Sequence, residues 1–158
     1  KDNYAIIGYD LLKTLSDYGT VNRGVCTLDE AGKLASVTER INIAKKNGRI
    51  TCDDGLEPEE LPAGTKVSMN FWCFDTSIFP YSEKLFHTFL TSSISNPKAE
   101  FFIPIVADDF IHRSGGVIKV IPTSAQWFGV TYKEDAPGVK ASLDQLVNAG
   151  EYPTRLWN

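Results

Sequence analysis

The sequence predicts an α/β protein: a sheet with helices packed on it and an antiparallel hairpin excursion. Three observations carry this. Strand-like runs dominate residues 1–75, the apolar period then shifts from two to between three and four, and the later segments follow in the order strand, helix, helix, strand, strand, helix. The 158 residues fit a single domain, and 42% hydrophobic with 23% charged residues suffices for a sizeable core.

Tyr4 to Gly8 is an apolar run suited to a buried strand, and Asp10 to Tyr18 predicts one or two helical turns ending at Gly19. Val21 to Leu28 and Lys33 to Glu39 read as paired strands around an Asp29-Glu-Ala-Gly32 turn. Asn47-Gly48 supplies the positive backbone angles of a tight hairpin between Ile41–Ile43 and Arg49–Cys52. Residues 53–60 hold five acids and no base, the pattern of a solvated loop. Val67 to Phe74 predicts a long strand interrupted by Asn70.

Ile78, Phe79, Tyr81, Leu85, Phe86, Phe89, Leu90 and Ile94 share a helical face, with Thr76 or Ser77 as cap and Asn96-Pro97 as stop. A second helix is expected from Lys98 to His112, with Pro104 near its first turn or kinking it and Gly115-Gly116 at its end. Val117–Ile121 and Trp127–Tyr132 read as strands, and Pro137–Asn148 as a helix closed by Gly150.

Sixteen Lys and Arg against twenty Asp and Glu give a net charge of −4, which argues against a nucleic-acid partner. The longest apolar stretch, Phe101 to Ala107, is interrupted by Pro104 and is far short of the ~20 residues a membrane span needs. No secretory leader is read at the first residues, and the three spaced cysteines, Cys26, Cys52 and Cys73, form no CxxC pair. Cytoplasmic placement is the expectation, with Cys26 and Cys73 as small core residues. The chain starts without Met and enters structure at once, so a piece of a longer polypeptide is expected.

Candidate chemistry is sparse. Asp108 and His112 stand four apart on a helix face, but two ligands do not make a metal site, and neither GxGxxG nor GxxxxGK[ST] occurs. Two polar residues are more informative. Asn70 stands where a core strand prefers an aliphatic, so its amide must be paired or must face a ligand rich in hydroxyls. Glu39, beside Arg40 at a strand end, offers a carboxylate able to accept two hydroxyl hydrogen bonds, or to form an ion pair there.

The ordered series Asn22-Arg-Gly-Val-Cys26, Asp29-Glu-Ala-Gly-Lys33, Val37-Thr-Glu-Arg40, Val67-Ser-Met-Asn-Phe-Trp-Cys-Phe74, Ala99-Glu-Phe-Phe-Ile-Pro104 and Trp127-Phe-Gly-Val-Thr-Tyr132 resembles the C-terminal part of the catalytic domain of sugar nucleotidyltransferases (NDP-sugar pyrophosphorylases). The resemblance runs from about Tyr4 to Trp157 and implies part of a glycosyltransferase-A-like α/β/α fold. It implies a parent enzyme that joins a nucleoside triphosphate to a sugar 1-phosphate with Mg²⁺, releasing pyrophosphate. Residues 1–158 would be the sugar-binding half of that domain.

Carried over residue by residue, the resemblance gives Gly24 a close backbone approach to the sugar, Glu39 and Asn70 contacts to its hydroxyls, and Arg40 attraction of its phosphate. Glu100 matches an acid that opens a helix, there to position the helix or to touch the ligand. Gly129 stands where the family usually has a metal-ligating Asp, and Asp135 follows six residues later. The family's nucleotide loop, catalytic Lys and first metal Asp have no counterpart here. The expectation is therefore no catalytic or metal residue in this chain, no activity and no Mg²⁺ bound by it alone, and a tendency to homodimerise. A non-catalytic sugar or nucleotide-sugar module on the same scaffold is the alternative.

Overall fold

A computed structural model describes residues 4–130, 132–155 and 157. Among the described residues, seven strands form one mixed sheet: β1 (Tyr4–Asp10), β2 (Val21–Leu28), β3 (Leu34–Lys46), β4 (Arg49–Thr51), β5 (Glu60–Leu61), β6 (Lys66–Cys73) and β7 (Ile118–Thr123). Three α-helices among the described residues accompany them: α1 (Ile78–Ser93), α2 (Ile103–Ser114) and α3 (Asp135–Asn148). The sheet order is β5-β4-β3-β2-β6-β1-β7, antiparallel except for the β1–β7 pair. The protein is thus a mixed α/β structure in which local antiparallel pairing prevails.

The local signals explain most elements. Asn47 (φ 51°) and Gly48 (φ 81°) occupy the left-handed turn between β3 and β4, and Lys46 pairs with Arg49 across it. Gly115 (φ 64°) closes α2 in the left-handed cap position, as a glycine without Cβ does at low cost. Elsewhere the outcome differs from expectation. The helical turns after β1 shrink to a 3₁₀ turn at Leu11–Thr14, and α2 starts at Ile103, so that Pro104 sits in its first turn where no N–H is needed. Trp127–Val130 is not a strand: residues 124–130 lie outside any regular element, and Thr131 of the expected strand lies outside the described residues.

Two apolar clusters hold the sheet. The first joins Tyr4, Ile6, Cys26, Leu34 and Ile118 to Ala107 and Phe110 of α2. The second lies around Val67, where Leu11, Val21, Ile43, Ile50, Cys52 and Leu61 meet. Three strands separate β3 from β7 in the sheet order, yet Lys33, just before β3, bridges antiparallel to Lys119 in β7. The sheet therefore curls strongly, and Leu34 and Ile118 share the first cluster.

Small residues line the bend. Gly24 pairs with Glu39 on one side and Ser68 on the other, and Ser68 pairs in turn with Gly8. Residues directly opposite share a face, so Gly8, Ser68, Gly24 and Glu39 form one cross-strand row. A Cβ on Gly8 would stand 2.7 Å from Cγ1 of Val120, and one on Gly24 2.8 Å from Cγ1 of Val37. Valine methyls thus occupy the space that the two glycines leave open. Cys73 is exposed rather than a core residue, because its neighbours Trp72 and Phe74 pack against the first cluster and strand alternation turns Cys73 to the other face.

Candidate functional site

The row across β1, β6, β2 and β3 brings three of the four candidate residues into one neighbourhood. Gly24 is buried, Glu39 is exposed beside it, and a Cβ on Gly24 would lie 3.9 Å from Oε2 of Glu39. Asn70 enters through Ser68, whose side-chain oxygen accepts a hydrogen bond from the Asn70 backbone N–H at 3.1 Å. Between Ile6–Trp72 and Gly8–Ser68, β6 carries more residues than β1, a bulge that contains Asn70. Asn70 has φ 56° there and is exposed. Asparagine tolerates this left-handed geometry better than most residues, so the interruption that the sequence shows is first of all a bend in β6.

Arg40 is set apart from the other three. Its side chain is only 5% exposed, and it holds Asp54 in a bidentate pair, Nε to Oδ2 at 2.5 Å and Nη2 to Oδ1 at 3.0 Å. Nη2 also donates to the carbonyls of Leu56 and Pro58, both at 2.9 Å. Arg40 follows Glu39 in an extended strand, so the two side chains leave opposite faces. The guanidinium pins the acidic loop to β3, and Asp54 is an exception to the solvated-loop expectation: its side chain is 4% exposed. Hydrogen bonding from Arg40 holds the Asp54 carboxyl down at about 2, and the backbone N–H groups of Leu56 and Ile41 contribute.

The cation that feels Glu39 is Arg23. Partial burial pushes its guanidinium below the ordinary arginine value, and the Glu39 charge opposes that shift. Arg23 donates to Oγ1 of Thr14 at 3.2 Å and to the Asn22 carbonyl at 2.8 Å, and its guanidinium carbon stands 5.1 Å from the Trp127 ring centroid. Ser68 and Arg23 were not singled out from sequence. Their signal is adjacency: Ser68 lies two residues before Asn70, and Arg23 directly before Gly24.

The Trp127 segment packs on this region without offering a metal ligand. A Cβ on Gly129 would fall on the Trp127 ring, so the ring itself occupies the place of a side chain there. Asp135 accepts from Oγ of Ser16 at 3.0 Å and from the Tyr132 N–H at 2.7 Å, which fastens the start of α3 to the loop after β1. This stretch does not fit a Mg²⁺ ion. Among the described residues, no three His, Cys, Asp or Glu side chains gather as a metal would require. Asp108 and His112 meet at 3.3 Å as an exposed pair, and Asp109 is engaged by the Tyr81 hydroxyl at 2.6 Å. Glu100, also exposed, lies ahead of α2 rather than in its first turn.

No protein-family model matches this chain, and no curated protein matches it either. Among the described residues, no helix is long and apolar enough to cross a membrane.

Proposed function

We propose that the chain is the sugar-phosphate-binding half of a sugar-1-phosphate nucleotidyltransferase, built on part of a glycosyltransferase-A-like domain. One observation supports this above the others: an exposed carboxylate, Glu39, and an exposed carboxamide, Asn70, flank the same row of small buried residues, linked through Ser68. A sugar offers hydroxyl donors to the first and both donors and acceptors to the second. Arg23 supplies positive potential near Glu39, the task that the resemblance assigns to Arg40. Gly24 has no side chain of its own, and a methyl of Val37 covers that space, so the close backbone approach to the sugar is not part of this reading.

Phosphoryl transfer needs groups that neutralise phosphate charge and position the reacting oxygens. In this reading those groups, and the Mg²⁺, belong to a preceding half of the domain, and the 158 residues alone form no NDP-sugar. The test is steady-state kinetics of the intact protein carrying Glu39→Ala. A hydrogen bond to a charged group contributes ~1.5–3 kcal/mol, so KM for the sugar 1-phosphate should rise roughly tenfold or more while KM for the triphosphate stays put. An unchanged sugar-phosphate KM overturns the assignment.

The absence of any side chain at Gly129 favours a second reading, a non-catalytic sugar or nucleotide-sugar module. Binding of hexose 1-phosphate by the intact protein, with no pyrophosphate released when triphosphate and magnesium are added, selects it.

A further inference from the structure

Residues 53–59, between β4 and β5, border a hollow of about 560 Å³: Leu56, Glu57 and Pro58 share its wall with Thr27 and Leu28 of β2 and with Arg40. Gly24, Glu39 and Asn70 have no part in that wall, so the hollow stands apart from the proposed sugar site. The burial of the segment is slight. All of its residues but Asp54 are exposed, and none belongs to either apolar cluster. By contrast Cys52 and Leu61, just outside it, sit in the second cluster.

Main-chain contacts close the base of the segment. The Cys52 N–H donates to the Glu59 carbonyl at 2.8 Å, next to the Thr51–Glu60 pair of the β4–β5 ladder. The two ends are thus held together, the geometry of an Ω-loop. The Asn42 carboxamide also donates to the Asp53 carbonyl at 3.0 Å, close to that base. Across the middle and the tip it is Arg40 that grips, through both carboxylate oxygens of Asp54 and the carbonyls of Leu56 and Pro58. The Ile41 N–H adds a bond to Oδ2 of Asp54 at 3.3 Å. Asp53, Asp54, Glu57 and Glu59 bear like charge, so without that cation the closed segment repels itself.

We propose that residues 53–59 form a hinged strap that opens as a unit about the Cys52–Glu59 base, with the Arg40–Asp54 pair as its latch and the sheet intact behind it. Closed, the strap walls the hollow. Open, it leaves a groove along β2 in which the Arg40 guanidinium, released from Asp54, stands as a hydrated cation. Opening moves almost no apolar carbon into water, because the strap adds none to the clusters. Both charges regain water as they part, which offsets much of the Coulomb energy lost. The strap therefore opens at a free energy far below that of global unfolding, and one ion pair sets access to this face of the sheet.

Native-state hydrogen exchange, followed by ¹H–¹⁵N NMR across sub-denaturing urea, tests this. The Ile41 and Leu56 amides, both bonded to Asp54, report the latch, the Cys52 amide reports the base, and the amides of β2 and β6 report global unfolding. Ile41 and Leu56 should share one opening free energy that urea barely changes, while Cys52 stays protected with β4. Asp54→Asn should speed Ile41 and Leu56 about tenfold or more relative to Cys52, since it removes charged hydrogen bonds. Glu57→Gln, which removes an exposed charge of the strap, should alter them less than about twofold. Should Asp54→Asn not fold, Arg40→Lys serves instead, because it keeps the charge and loses the fork. Exchange of Ile41 and Leu56 only along the steep urea dependence of β2 and β6, at unlike opening free energies, or without any protection overturns the proposal. So does an Asp54→Asn chain that exchanges no faster than the parent. Cys52 opening in step with Leu56 overturns it too, because the whole β4–β5 excursion is then the moving unit.

Discussion

Asp54 and Arg40 show how a single pairing can reverse the reading of a segment. Residues 53–60 carry five acids, and like charges in sequence normally stay in water. Asp54 is nevertheless turned inward onto a guanidinium, which no local pattern reveals because the partner lies on another strand. The pair has a pH signature. The folded-state Asp54 carboxyl sits at about 2, below the usual 3.8, so its contribution to stability is complete above that usual value and is lost as pH falls towards 2. Asp54→Asn should melt below the parent near neutral pH, and its melting temperature should fall less steeply between about pH 4 and about pH 2. A parallel pair of acid profiles contradicts the clamp. Gly24 is a second case at this scale. Adding a methyl forces it against Val37, so Gly24→Ala should destabilise by about 1–3 kcal/mol in urea unfolding, and Val37→Ala in the same chain should restore part of the loss.

The bulge in β6 makes the same point for an element. The sequence marks Asn70 as foreign to an aliphatic strand, which is legible, but a ligand contact and a backbone requirement look alike in sequence. The structure supplies the backbone requirement, φ 56°. Substitution separates the two roles. Asn70→Gly should keep the melting temperature near that of the parent while removing the amide, whereas Asn70→Val should cost about 1–2 kcal/mol for a β-branched residue in left-handed geometry. Loss of sugar-phosphate affinity in the well-folded Gly variant then belongs to the side chain. Elements set by short-range chemistry were legible: the Asn47-Gly48 turn and the Gly115 cap each satisfy a local angle. Residues 127–130 were not, because apolar alternation there reflects the Trp127 ring folding over Gly129 and stacking with Arg23, contacts that a strand shares only by composition.

At the scale of the whole molecule, the period of α1 was legible but the fate of its apolar face was not. Phe86, Phe89 and Phe101 cluster with ring centroids 5.3–6.2 Å apart, yet no residue of α1 is buried, and Phe79 and Ile94 are 72% and 85% exposed. The curl of the sheet is equally non-local: it depends on Lys33 reaching Lys119 and on glycines that let valine methyls close over the bend. Phe71 and Ile121, on β6 and the edge strand β7, are also about half exposed. Exposed apolar side chains and an open strand edge both favour association in water. The 158-residue chain should therefore show a mass that rises with concentration in sedimentation velocity. Leu90→Lys with Ile94→Lys places charge on the exposed side of α1, away from both clusters, and should shift the distribution towards monomer without lowering the melting temperature. Association unchanged by that pair moves the responsible surface to β7, where Ile121→Lys is the corresponding substitution; a constant monomer mass across a hundredfold dilution (about two decades) removes the argument, since exposed carbon on this scale must then be tolerated by the isolated chain.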